Sequence, residues 1–376
     1  MQVRTFSTGS VNDFRQKWDR NSADGFIPNV AIVFSSVELD LAGIVEFLGP
    51  TGVRVLGSSS CGEILYDNTG KVISEGGLVC CMLNLIPGSF DLRLFNGIGM
   101  TSFELGQKSG SWAKKVFADP AILVVASGLT IDGEQLVRGI QNVLGQDVMM
   151  YGGLSGDDAH FKETTVFSEA SAESTGAILL VLDKSVYEIN GIATSGWVSI
   201  GADKIITSSE GNIVYTIDNE PALDVYKQYL NVSDEDLPEI GVEYPLLIRK
   251  SDPDFVLRAV LNVDREKKAL IFAGTVPAGA VVTFSSSPGF EIIEHTKKKV
   301  HEFYESNPRC DLLILFSCMA RHNALGPTIS EEIEEAWVKW QKPLIGFFTY
   351  GEIGNNYQNS CDFYNQTFTL VSLKQK

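Results

Sequence analysis

The sequence is short of the features that mark several large functional classes. No stretch approaches the ~18 consecutive apolar residues of a membrane-spanning helix. Met1 to Ser10 lacks the charged and apolar regions of a secretion signal. Basic residues are outnumbered: 30 Lys and Arg stand against 47 Asp and Glu, for a net charge of −17. Such a surface repels phosphate backbones and anionic lipid, so neither nucleic-acid binding nor membrane insertion is expected. The one basic cluster, Lys297-Lys298-Lys299, sits in a helical stretch and reads as a solvated face. The 6 cysteines show no C-x-x-C spacing, and several lie in apolar runs where a buried thiol acts as a small hydrophobe. These features describe a reduced, cytoplasmic protein.

Catalytic templates are missing as well. There is no G-x-S-x-G elbow, no phosphate-binding G-x-x-x-x-G-K-[ST], no G-x-G-x-x-G after a strand and no H-E-x-x-H. The 4 histidines (160, 295, 301 and 322) make no zinc set by spacing. Cys318 and His322 form the one thiol–imidazole spacing, and a buried structural cysteine is the simpler reading. No catalytic centre is expected. An enzyme using Cys318 as nucleophile ranks last among the functional readings.

What is present is a chain of 376 residues, 44% hydrophobic and 20% charged, long enough for about two or three domains. Its main feature is a threefold repeat. Val30-Ala-Ile-Val-Phe34 is a buried-strand run followed by a helical stretch and a second strand, Val53-Arg-Val-Leu56. That strand ends in Gly57-Ser-Ser-Ser-Cys-Gly-Glu63. The pattern recurs at Ala121 to Val125, with a helix over 132–144 and a strand from Asp147 to Tyr151 ending in Gly152-Gly-Leu-Ser-Gly-Asp157. It recurs again at Asp311 to Phe316, with a helix over about 328–341 and Pro343-Leu-Ile345 leading into Gly346-Phe-Phe-Thr-Tyr-Gly-Glu352. Short apolar runs separated by amphipathic helices predict β-α-β units with buried strands. Trailing runs at 78–86, 177–182 and 367–373 follow too closely for a helical crossover and are expected to add antiparallel strands. The fold class is therefore α/β with mixed sheets in two parts, divided near residue 220 into segments 1–219 and 220–376. Strands are expected near 187–192, 205–207, 213–217, 245–249, 255–263, 268–273 and 280–285, with helices over 221–230 and 288–306.

In parallel α/β sheets, ligands bind beyond the carboxyl ends of the strands. Each repeat tip is rich in glycine, serine or threonine and finishes with an acid. Exposed amides beside a hydroxyl could hold a carboxylate, and Glu63, Asp157 or Glu352 could hold an ammonium group. The plain alternative is a tight turn whose acid accepts backbone N–H bonds. The candidate lining residues are Ser60, Cys61, Glu63, Ser155, Asp157, Cys318, Arg321, Tyr350 and Glu352. Arg321 is the candidate carboxylate clamp, since guanidinium binds carboxylate bidentately; its alternative is a salt bridge to a neighbouring acid.

Gly57-Ser-Ser-Ser-Cys-Gly-Glu-Ile64, Tyr151-Gly-Gly-Leu-Ser-Gly-Asp-Asp158 and Gly196-Trp-Val-Ser-Ile-Gly201 resemble the N-terminal half of the FIST sensory domain. Pro221-Ala-Leu-Asp-Val-Tyr226, Ser317-Cys-Met-Ala-Arg321 and Gly346 through Ile353 resemble its C-terminal half. The resemblance runs in order from about residue 28 to 373. It implies an intracellular sensor of a small ligand, amino-acid-like or a small carboxylate, working with signal-transduction proteins. It also implies an alternative, a haem-binding nitric-oxide sensor that regulates a histidine kinase, with His322 or His160 as the iron ligand. No kinase, cyclase or receiver module lies within these residues, so output is expected to pass to a separate histidine kinase or other signalling protein.

Overall fold

The computed structural model describes residues 1–233, 235–237, 239–251, 254–355 and 361–376, with the side chains of residues 239, 251 and 254 left out. The three sequence repeats are three copies of one larger unit. Each begins with an edge strand and a helix: Gln2–Thr8 with Val11–Asn21, Phe90–Asn96 with Ser102–Val116, and Tyr187–Thr194 with Glu291–Ser306. A parallel strand pair joined by a second helix follows. The pairs are Val30–Ser35 with Arg54–Ser59, Pro120–Ala126 with Met149–Leu154, and Leu312–Cys318 with Leu344–Thr349. A short two-stranded excursion comes next, and a return strand closes the unit antiparallel to the first of the pair.

The helices start where the sequence provides caps. Ser10 and Asp40 accept from the amides of Asp13 and Gly43. Thr101 and Glu104 form a reciprocal capping box, which satisfies two of the orphan donors of a helix start.

The strands bury both faces, as their apolar runs predict. Ile32, Leu123 and Ile314 point into a central core that all three units share. There Phe34 packs against Phe347 at 4.4 Å and Phe316 against Phe347 at 5.8 Å between ring centroids. The alternate residues point outward to each unit's own helices: Val33 toward Phe14 and Ile44, Val124 toward Leu136 and Ile140, Leu315 toward Ile293 and Ile333. Gly152 and Gly346 hold equivalent places on the second strands. A Cβ there would fall 1.7 Å from the Val124 carbonyl oxygen and 2.3 Å from that of Leu315, so no larger residue fits without backbone movement.

The excursions do not stay with the unit that makes them. The strand Glu63–Asp67, with Gly70–Ser74 beyond it, pairs with Leu344–Thr349 of the third unit. Val166–Phe167 of the second unit pairs with Arg54–Ser59 of the first. Glu352–Asn355 of the third, with Cys361–Tyr364, pairs with Met149–Leu154 of the second. Each unit gives two strands to one neighbour and receives two from the other, so the three six-stranded sheets have the same internal order. Two of them draw strands from both sides of residue 220.

Residues 198–286 are inserted into the third unit, between its edge strand and first helix. They form an eight-stranded sheet carrying the helix Ala222–Leu230, with Tyr226, Phe272 and Phe284 in its core. The inbound and outbound connections lie side by side, because Val198 pairs with Ser286. Each carries a glycine in the left-handed region, Gly196 at φ 84° and Gly289 at φ 67°. No described helix is long and apolar enough to cross a membrane.

Candidate functional site

The parallel pairs all point their carboxyl ends at one place, and the three tips are laced together there by backbone hydrogen bonds. Gly156 N donates to Ser59 O at 3.3 Å, Leu154 N to Gly351 O at 2.8 Å, and Cys61 N to Phe348 O at 3.0 Å. Lacing of this kind leaves few free amides for a ligand.

Each of the three acids is bonded inside its own loop, and Asp157 also reaches the third tip. Glu63 accepts from Ser60 Oγ at 2.5 Å, Ser74 Oγ at 2.9 Å and Gly77 N at 3.0 Å. Glu352 accepts from Thr349 Oγ1, from Thr367 Oγ1 at 2.7 Å and from Thr367 N at 3.1 Å. Asp157 accepts from the amides of Phe161, Lys162 and Glu163 at 3.0, 2.6 and 3.0 Å, and from the Tyr350 hydroxyl. Burial pushes both Glu63 and Glu352 up to about 7 against these bonds. The acids thus tie each tip to its excursion, which is the plain turn geometry. Ser155 Oγ is spent on Ser58 Oγ at 2.8 Å.

Arg321 is not placed as a carboxylate clamp. It is fully buried, and its five N–H groups are all engaged: two on Glu332 at 3.1 and 2.6 Å, one on Thr296 Oγ1 at 2.9 Å, and two on the carbonyls of Gln366 (3.0 Å) and Ser195. No donor remains for a ligand. Cys318 is also fully enclosed beside Glu352; burial and that carboxyl hold its thiol well above the ordinary range. A nucleophilic cysteine needs the reverse, a thiolate at neutral pH.

An open cavity of about 330 Å³ lies over the tips, and its wall includes Cys61, Asp158, Met319 and His322. Cys61 and His322 are the two candidate residues that line it. Glu38 and Glu75 add two more carboxylates at its rim, and neither Lys nor Arg lines it among the described residues. A larger hollow of about 390 Å³ beside Tyr151 and Lys299 holds none of the candidate residues.

Asp158, which is not among the candidate residues, also lines the cavity. Its Oδ2 accepts from Ser36 Oγ at 2.7 Å and Val37 N at 3.0 Å, while Oδ1 is buried with no hydrogen-bond partner among the described residues. Unpaired buried acceptors are costly and uncommon in folded proteins. The backbone is strained at the same point: Asp158, Ala159 and Phe161 have φ of 53°, 60° and 52°. Such conformations cost of order 1 kcal/mol or more each and collect at ligand clamps. Phe161 stacks on Tyr350 with ring centroids 5.0 Å apart, holding the strained loop over the third tip. The adjacent acids at the end of the second tip, Asp157 and Asp158, were the available signal, since one can anchor the loop and leave the other for a ligand.

The histidines do not make a haem site. His322 lies flat on Phe348 at 4.4 Å with Nε2 3.6 Å from Glu75, and burial lowers its basicity. His160 is half exposed, 3.9 Å from Glu38. Three carboxylates around the cavity repel haem propionates. Among the described residues no three His, Cys, Asp or Glu side chains gather to hold a metal ion.

The family model of the FIST N domain matches residues 29–220, and that of the FIST C domain matches 222–355. The chain belongs to the FIST family. FIST domains are small-ligand sensory domains of signalling proteins. In this FIST protein the N-terminal match ends inside the inserted sheet, and the C-terminal match begins there. The third unit is therefore shared between the two matches. No curated protein matches the chain.

Proposed function

We propose that this FIST protein senses a small ligand bearing an ammonium group, amino-acid-like in character, in the cavity over the three tips. The observation that carries the reading is the orphaned Oδ1 of Asp158, in a wall with two further carboxylates and no described cation. An ammonium group supplies the missing donors and balances the charge. A ligand held only by a carboxylate finds no described Lys or Arg in that wall to balance its charge. Occupancy is relayed to a separate histidine kinase or other signalling protein, whose docking face is basic to match the net charge of −17. All 6 cysteines are free and buried, which suits a reducing, cytoplasmic setting.

A thermal-shift screen of amino acids, amines and small carboxylates tests this. Amino compounds are expected to raise the melting temperature, by mass action worth about 2.7 kcal/mol at a hundredfold excess over Kd. Asp158→Asn keeps an oxygen for Ser36 and Val37 and tolerates the left-handed backbone, so it is expected to fold normally and lose the shift. A shift from carboxylates alone, or one that survives in Asp158→Asn, overturns the reading.

A further inference from the structure

The helix Met319–Leu325 looks two ways. Met319, His322 and Asn323 line the tip cavity. Arg321 turns from the cavity to the root of the inserted sheet. Its partner Ser195 lies on the inbound connection, and Thr296 on the helix that follows the outbound one. Its partner Gln366 donates in turn to Val242 O at 3.2 Å, inside the insertion. The guanidinium also lies over the Trp197 ring, 5.6 Å from its centroid, and Trp197 Nε1 donates to Glu243 O at 3.3 Å.

Resting on the reading of the cavity as the ligand site, we infer that Arg321 is a positioning residue that couples occupancy of the cavity to the attitude of the inserted sheet. A ligand touching Met319 and His322 displaces a helix only 7 residues long, which moves as one piece. The guanidinium on its other side cannot slip, because each lost bond would leave a buried charge short of a partner. Ser195 therefore follows the helix. Gly196 and Gly289, both in the left-handed region, mark the points where the two connections turn, and domains joined within one chain are expected to move relative to each other. A second buried pair sets the pivot. Arg258 of the insertion donates to Glu134 Oε2 and to Phe363 O, both at 3.1 Å, and so pins the sheet to the second and third units.

A covalent occupant tests the coupling without a known ligand. Asn323→Cys places an exposed thiol in the cavity wall, to be labelled with a bulky aromatic thiol reagent. Reagent-treated wild type, whose native cysteines are all buried, is the control. Amide hydrogen exchange over 195–200 and 283–290 is expected to change about tenfold on labelling, within the usual range of coupling between sites. Exchange over 30–35 is expected to stay the same. In Arg321→Met/Glu332→Met with the same label, the hinge response is expected to vanish. Arg321→Lys, which keeps the charge without the five-bond grip, gives the same reading if the double variant does not fold. A hinge that ignores the label, or responds equally without Arg321, overturns the inference. The label acts whatever ligand the cavity takes, so a silent hinge leaves the ligand reading standing, and a failed ligand screen leaves the coupling standing.

Discussion

The Tyr350 phenol on the third tip donates to the Asp157 carboxylate of the second, beside the thiol of Cys61 on the first. Cys61 and Tyr350 both stand two residues before the acid of their motif, so equivalent positions of two repeats carry different chemistry. With the Cys61 N–H donating to Phe348 O at 3.0 Å, these bonds tie all three units together where the tips meet. Burial raises both groups, Cys61 to about 11 and Tyr350 above the ordinary phenol range. Both therefore remain protonated donors at neutral pH.

Tyr350→Phe is expected to cost about 1.5–3 kcal/mol, the range for a hydrogen bond to a charged group. The ring and its stack on Phe161 are kept, so the loss falls on the bond to Asp157. Urea denaturation measures it; an unchanged midpoint with an unchanged slope would show that this bond contributes nothing.

Stability is expected to depend on pH through Glu63 and Glu352. Their folded pKa values, about 7, lie above the ordinary value of 4.5, so the native state holds more protons than the unfolded state between those limits. Their contribution is therefore full below about 4.5 and is lost as pH rises toward 7. His295 and His322, lowered mainly by burial, act in the opposite direction, and their contribution grows as pH rises toward 6.5 and is complete above it. The variants separate the two effects. Glu63→Gln and Glu352→Gln are each expected to gain stability relative to wild type between pH 5 and 7, read from melting temperature against pH. A difference from wild type that stays flat across that window would contradict the assignment.

The Arg321–Glu332 pair is fully buried on both sides. Arg321→Ala is expected to cost about 3–5 kcal/mol, because it strands Glu332 without a counter-charge. Arg321→Met/Glu332→Met, which removes both charges and keeps volume, is expected to recover most of that loss. Chemical denaturation of the two variants gives the comparison, and equal losses in both would show that packing rather than charge holds the site.

The threefold repeat was legible because buried strands and helix faces leave local periodic signatures, and the six strands of the three parallel pairs were found from them. The antiparallel return strands were legible too, since 78–86, 177–182 and 367–373 are too close to their predecessors for a crossover. The exchanged excursions were not. Residues 63–74, 166–173 and 352–364 read as polar connections, because their partners lie in another repeat and no local pattern encodes a distant register. The edge strands Gln2–Thr8 and Phe90–Asn96 were missed for a related reason, being partly exposed and weakly apolar. At the site, the motif positions did converge, but residue type alone could not show that the acids would be used up internally. Arg321 looked like a ligand clamp for the same reason: five donors read the same in sequence whether they face solvent or Glu332. The described wall came instead from Glu38, Glu75 and Asp158, which belong to three different loops.

The exchange of strands also sets a timetable for the growing chain. The first sheet must wait for residues 166–173 before its open edge is covered, and the second must wait for 352–355 and 361–364. The hairpin at 63–74 is made early but has no sheet to join until the third unit appears. Until the last of these segments is synthesised, at least one strand edge stands open to whatever β-structure is nearby, a hazard for any long-range β topology. A chaperone that shields edges would then matter most in the interval between completion of the second unit and completion of the third. The inserted sheet, built from strands and turns local to 198–286, has time to fold by itself during that wait.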